Sequence, residues 1–252
     1  MTMKNTPIAE TTLEMVKHIS FFHGGLLFLL GSICFYPSMY DITILSIHIG
    51  AWCFIVGCAF FAFASILDFI QHMKLKYSST DQIVFSQDEE KGRINTSLSH
   101  KSTSSMSSRD NSSQDETELN KESNFVLAKA IISFANIFAA MSFLVGAVYF
   151  LPRFYEQNER IGCYGFIIGC IILCLSSSYM ILALRESIWQ STSTLIGSIL
   201  FIVGSIFFLP EYLVLEGGVV LAVNFFIIGS IFFTLTPMID IWIVLRATRY
   251  KV

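Results

Sequence analysis

Two carboxylates interrupt an otherwise apolar chain. Asp68 and Asp240 each follow a glycine, Gly57 and Gly229, by eleven residues. An ionisable side chain in a long apolar run marks an ion or proton site by default, because charge at membrane depth is costly unless it is paired or used. Both have a basic neighbour within helical reach: His72 lies one turn after Asp68, and Arg246 less than two turns after Asp240. A helix C-terminus is itself electronegative and disfavours a bare carboxylate. Interfacial ion pairs are therefore the first expectation for Asp68 and Asp240, an ion or proton site the second, and a metal site at Asp68 and His72 the third. The corresponding position after Gly169 is Met180, so the chemistry is not repeated everywhere. His23 and His48 have no second ligand at helical spacing and read as packing or interfacial residues. No H-E-x-x-H pair, phosphate loop or nucleophile elbow is present, so no catalytic residue, metal ligand or cofactor is assigned.

The elements that must carry these groups share one motif. A small residue, three mostly apolar positions, Phe, two aliphatics, Gly and a second small residue recur six times, with cores FLLGS, FIVGC, FLVGA, FIIGC, FIVGS and FIIGS. The leading small residue and the Gly are Gly24 and Gly31, Gly50 and Gly57, Ala139 and Gly146, Gly162 and Gly169, Gly197 and Gly204, and Ala222 and Gly229. Seven residues apart, they fall nearly on one stripe of a helix, with Phe beside it. In water a mid-helix Gly costs about 1 kcal/mol relative to Ala. In lipid, where association rests on van der Waals packing, small residues are favoured because they let backbones approach. These twelve positions are the expected helix-packing sites.

Composition agrees with lipid as the solvent. Of 252 residues, 54% are hydrophobic and only 14% charged. Mean hydropathy is +0.63. The net charge of -3 gives no reason to expect a nucleic-acid partner. The six cysteines all lie within apolar runs and read as packing residues. The expected fold is all-α, a polytopic membrane protein with six transmembrane helices arranged as three repeated hairpins. Its segments are an N-terminal piece (1–18), hairpin one (19–70), a Ser-rich linker expected to be disordered (71–124), hairpin two (125–184), hairpin three (185–244) and a basic tail (245–252). Each hairpin has a Pro six residues beyond a motif glycine, Pro37, Pro152 and Pro210, so the three turn at one depth.

Fourteen of the sixteen Lys and Arg residues fall in the N-terminal piece, the linker and its flanks, Arg185 and the tail, whereas the opposite turns hold only Arg153 and Arg160. The positive-inside rule then predicts cytoplasmic termini and a cytoplasmic linker. Besides the bilayer, the expected partners are a cytoplasmic protein or anionic lipid, met through the linker and tail.

The segments FLLGSICFYP with FIVGCAFF, FLVGAVYFLP with FIIGCIIL, and FIVGSIFFLP with FIIGSIFF resemble the YrhK-like domain, a two-helix membrane hairpin with a Phe-rich, Gly-Ser pattern and a Pro near its turn. The third pair is nearest that pattern; Tyr36 and Cys58, and Ala147 and Cys170, depart from it in the others. The resemblance implies a hairpin membrane fold and no activity. The expectation is a non-catalytic membrane scaffold or accessory subunit. The alternative is a small ion- or proton-coupled channel or transporter using Asp68 and Asp240.

Overall fold

In a computed structural model, residues 7–43, 45–97, 109–155, 158–185 and 188–249 are described. Long helices are α1 (Pro7–Cys34), α3 (Leu45–Ser97), α4 (Arg109–Tyr149), α6 (Glu159–Tyr179), α7 (Ile188–Phe207) and α9 (Gly218–Arg249). Short ones are α2 (Pro37–Ile42), α5 (Pro152–Tyr155) and α8 (Pro210–Leu213). A π-helical turn, Met180–Leu184, continues α6. Six of the described helices contain stretches long and apolar enough to cross a membrane: Thr11–Cys34, Leu45–Tyr77, Asn124–Tyr149, Arg160–Leu184, Ile188–Phe207 and Gly218–Arg246. The protein is an all-α polytopic membrane protein. The chain divides into two compact units, Met1–Leu67 with Ser133–Val252, and Asp68–Ile132.

The three prolines act differently from simple stops. Each begins a short helix instead of ending a long one, because its fixed φ suits the first helical turn and its missing N–H is not needed there. The preceding residue is extended, as a following proline demands: Tyr36 at φ -68°, ψ 134° and Leu209 at φ -67°, ψ 144°. The three turns share one hydrogen bond, with the N–H groups of Met39, Phe154 and Tyr212 each donating to the carbonyl of the residue before the proline at 2.9 Å. Before α9 the chain turns through Gly217 at φ +78°, a conformation that side-chain-bearing residues rarely adopt.

Helical backbone also extends beyond the spans. α1 starts at Pro7, so residues 7–18 of the N-terminal piece are helical and continuous with the first span. α3 runs on to Ser97 and α4 begins at Arg109, which draws both ends of the expected linker into helix. The runs QDEEK and ETELNKE within these extensions are mostly good helix formers, whereas the expectation of disorder rested on the Ser-rich centre. Residues 98–108, which hold much of that centre, lie outside the described residues, as do 1–6 and 250–252.

Within the first unit, small residues hold each hairpin together by a fixed rule. A Cβ added to Gly31 would lie 3.0 Å from the Gly50 carbonyl oxygen, and one added to Gly50 would lie 3.0 Å from that of Gly31. Gly24 and Gly57 face each other in the same way, as do Gly146 and Gly162, and Gly197 and Gly229. Gly169 meets the Ala139 carbonyl, and Gly204 that of Ala222. Each gap is covered by a Phe four residues beyond the facing residue: Phe54 lies over Gly31, Phe35 over Gly50, Phe28 over Gly57, and Phe166 over Gly146. Side chains on a helix lean back toward its N-terminus, so a ring at i+4 lies over the backbone of residue i and fills the space beside the contact.

These rings form the core. Phe35, Phe150 and Phe208, one from each hairpin, make a triangle with centroids 5.7, 6.1 and 5.7 Å apart. A second triangle, Phe54, Phe166 and Phe226, has edges of 5.6, 6.1 and 5.9 Å. Phe28 extends it toward Phe143 and Phe201, and Phe61 pairs with Phe233 at 6.1 Å. Phe54, Phe166, Phe201 and Phe226 have 0% exposure. The repeat therefore has a pseudo-three-fold arrangement whose centre is packed with aromatic rings.

Candidate functional site

A second small-residue stripe, one position after the first, supplies contacts between hairpins. The Ser32 Oγ lies 3.4 Å from the Ser230 Oγ, linking α1 to α9. A Cβ on Gly25 would lie 3.0 Å from the Phe233 carbonyl oxygen and from the Thr234 Cα, so α1 also approaches the α9 backbone there. Two of the hydroxyls along this seam are satisfied locally: Ser32 donates to the Phe28 carbonyl at 2.7 Å and Thr234 to that of Ser230 at 2.8 Å. Bonding one turn back lets a hydroxyl sit in lipid or protein interior without an unmet polar group.

Farther along the same seam lies a buried polar joint. Asp240, only 7% exposed, projects from α9. Gln190 of α7 donates from Nε2 to its Oδ1. His18 of α1 approaches the other oxygen, with Nδ1 3.4 Å from Oδ2, and Lys17 lies within electrostatic reach. Three helices thus converge on one carboxylate. The basic partner expected for Asp240, Arg246, instead has its guanidinium over the Trp242 ring, 5.2 Å from the centroid. Six residues separate Asp240 from Arg246, which turns the arginine away from the carboxylate, while Trp242 and Arg246 are one helical turn apart.

In the second unit, Asp68 meets the partner its spacing predicts: the His72 Nδ1 lies 3.5 Å from Asp68 Oδ2, one turn along α3. The equivalent place in the middle hairpin is the start of the π-helical turn at Met180, followed by Arg185 at φ 52°. His23 binds the Ile19 carbonyl through Nδ1 at 2.8 Å and stacks on Phe60, while His48 lines a shallow apolar groove with Leu27, Ile49, Trp52, Cys53 and Val56. Those contacts are with apolar and aromatic neighbours of the same hairpin and one backbone carbonyl. Among the described residues, no group of three or more His, Cys, Asp or Glu side chains is placed to hold a metal ion.

The comparison with protein families decides the assignment. The family model described as YrhK-like protein matches the chain three times, over residues 11–73, 128–183 and 187–243. The chain belongs to the YrhK-like family. No curated protein and no solved structure matches it.

Each YrhK-like match covers one hairpin, so the family unit and the structural repeat coincide. The first match begins at residue 11, which places His18 inside the YrhK-like unit, and the third includes both Gln190 and Asp240. Sequence reading found Asp240 and missed His18 and Gln190, because the three lie on separate helices and no sequence spacing joins them. One signal was present: His18 precedes Gly24 by six residues and Gln190 precedes Gly197 by seven, so the repeat alignment puts both at nearly one depth.

Proposed function

We propose that this YrhK-like chain is a non-catalytic membrane scaffold or accessory subunit whose polar segments recruit a cytoplasmic protein or anionic lipid. The observation that carries this reading is the aromatic centre: triangles of Phe from all three hairpins occupy the axis around which the repeats are arranged. Such an axis supports packing over passage, since polar groups to replace a hydration shell are what a conducting pathway needs. The charge bias favours cytoplasmic termini, with the proline turns on the far side. Proximity labelling from the 71–124 segment and the tail, combined with binding to vesicles containing phosphatidylserine, tests the reading. A reproducible partner or anionic-lipid binding is expected; the absence of both would sink it.

A second reading has one observation in its favour. Asp240 is buried at a joint of three helices with His18 and Gln190, the kind of intramembrane carboxylate that proton- or ion-coupled proteins use. Flux through proteoliposomes under a proton or cation gradient, lost in Asp240→Asn or Asp68→Asn, would favour transport over the scaffold.

A further inference from the structure

Three hairpins packed about an axis meet at three seams. Continuous chain runs from the first hairpin to the second through α3 and α4, and from the second to the third through residues 185–187. The seam between α1 and α9 joins the first helix to the last, two elements that no short connection links in sequence. Two of its contacts are uncharged, Ser32 with Ser230 and Gly25 against the Phe233–Thr234 backbone. A further contact is the joint of His18, Gln190 and Asp240.

We infer that the α1/α9 seam is a proton-sensitive latch, fastened when His18 carries its charge and loosened when it does not. Imidazole is the side chain whose ordinary titration falls between about pH 5 and pH 8. A protonated His18 adds ion-pair attraction to Asp240 across a seam screened from water, where such attraction is stronger than on a surface. As pH rises the imidazole loses its charge and its ion-pair attraction, while Gln190 and Lys17 still favour the carboxylate. The other charged and polar groups near the joint differ from His18 in charge, element or placement. Lys17 and Glu14 precede it on α1, Gln190 of α7 is neutral, and Arg246 of α9 is over Trp242. The segment released would be the N-terminal part of α1, residues 7–20, which is the most polar stretch of that helix.

Hydrogen–deuterium exchange on the full chain in lipid nanodiscs reads the latch directly. With intrinsic exchange rates corrected, amides of residues 11–20 should lose about tenfold in protection from about pH 5.5 to pH 8.5, one pKa unit's worth of coupling. Residues 197–205 of α7 should not change. His18→Gln should show low protection at both pH values, and His18→Lys, charged throughout, should hold it high at both. Unchanged wild-type protection across this range, or a pH response that survives in His18→Gln, would overturn the latch. Should His18→Lys not fold, the wild-type and His18→Gln comparison still decides.

Discussion

Gly31 and Gly50 face each other across the first hairpin so closely that a Cβ on either would lie 3.0 Å from the other's carbonyl oxygen. Phe54 and Phe35 then lie beside these two contacts. Four residues thus account for one end of one hairpin, and the same four-part relation recurs in the others. Close backbone approach and ring packing are therefore one device.

Because neither carbonyl can retreat without moving its helix, Gly31→Val should force the hairpin apart. Overpacking of this kind costs about 1–3 kcal/mol. Reversible unfolding in mixed micelles should show it. The matched exchange Ile49→Val, at a half-exposed position beside Gly50, should stay within about 0.5 kcal/mol.

The ring at the centre should matter more than a ring at the edge. Phe166 touches Phe28, Phe54, Phe143, Phe150, Phe201 and Phe226, and is fully buried. Phe166→Ala should destabilise the bundle by about 3–5 kcal/mol through lost contacts and a cavity. Phe134, 49% exposed, should tolerate the same change with little loss in the same unfolding assay.

The seam between the first and last hairpins should cross-link. With Ser32 and Ser230 both changed to Cys, oxidation in isolated membranes should yield an intramolecular disulfide locatable by peptide mass mapping, since the two Oγ atoms are 3.4 Å apart. Failure to form it, while a pair within one hairpin does form, would remove the contact between these hairpins.

Topology gives a test that needs no purified protein. Alkaline phosphatase fused after residue 156 should be active and fused after residue 252 inactive, as the distribution of Lys and Arg predicts. The reverse pattern would put the linker and tail on the wrong side for a cytoplasmic partner.

Much of this arrangement was legible because membrane packing writes itself into short-range spacing. The six spans, the paired hairpins and the small-residue stripe each follow from residues within one or two turns of each other. The leading Phe of each copy was visible beside the stripe. Its counterparts at Phe35, Phe61, Phe150, Phe208 and Phe233 were not recognised as part of the rule, although each follows its motif glycine by four residues. The two-sided meaning of that offset appears only when antiparallel helices face each other. Leu173 occupies the sixth such position, so the aromatic pattern is interrupted once. The partners of Asp240 were illegible for a different reason. Arg246 was nearer in sequence, but six residues around a helix aim it elsewhere, and His18 reaches Asp240 only after the chain has closed.

The aromatic axis itself can be read by nuclear magnetic resonance on chain carrying protonated Phe rings in a deuterated background, with assignments from single Phe→Leu variants. Cross-peaks linking the rings of Phe54, Phe166 and Phe226 in all three pairings are predicted, given centroids 5.6 to 6.1 Å apart. Cross-peaks confined to rings of the same hairpin would contradict the account.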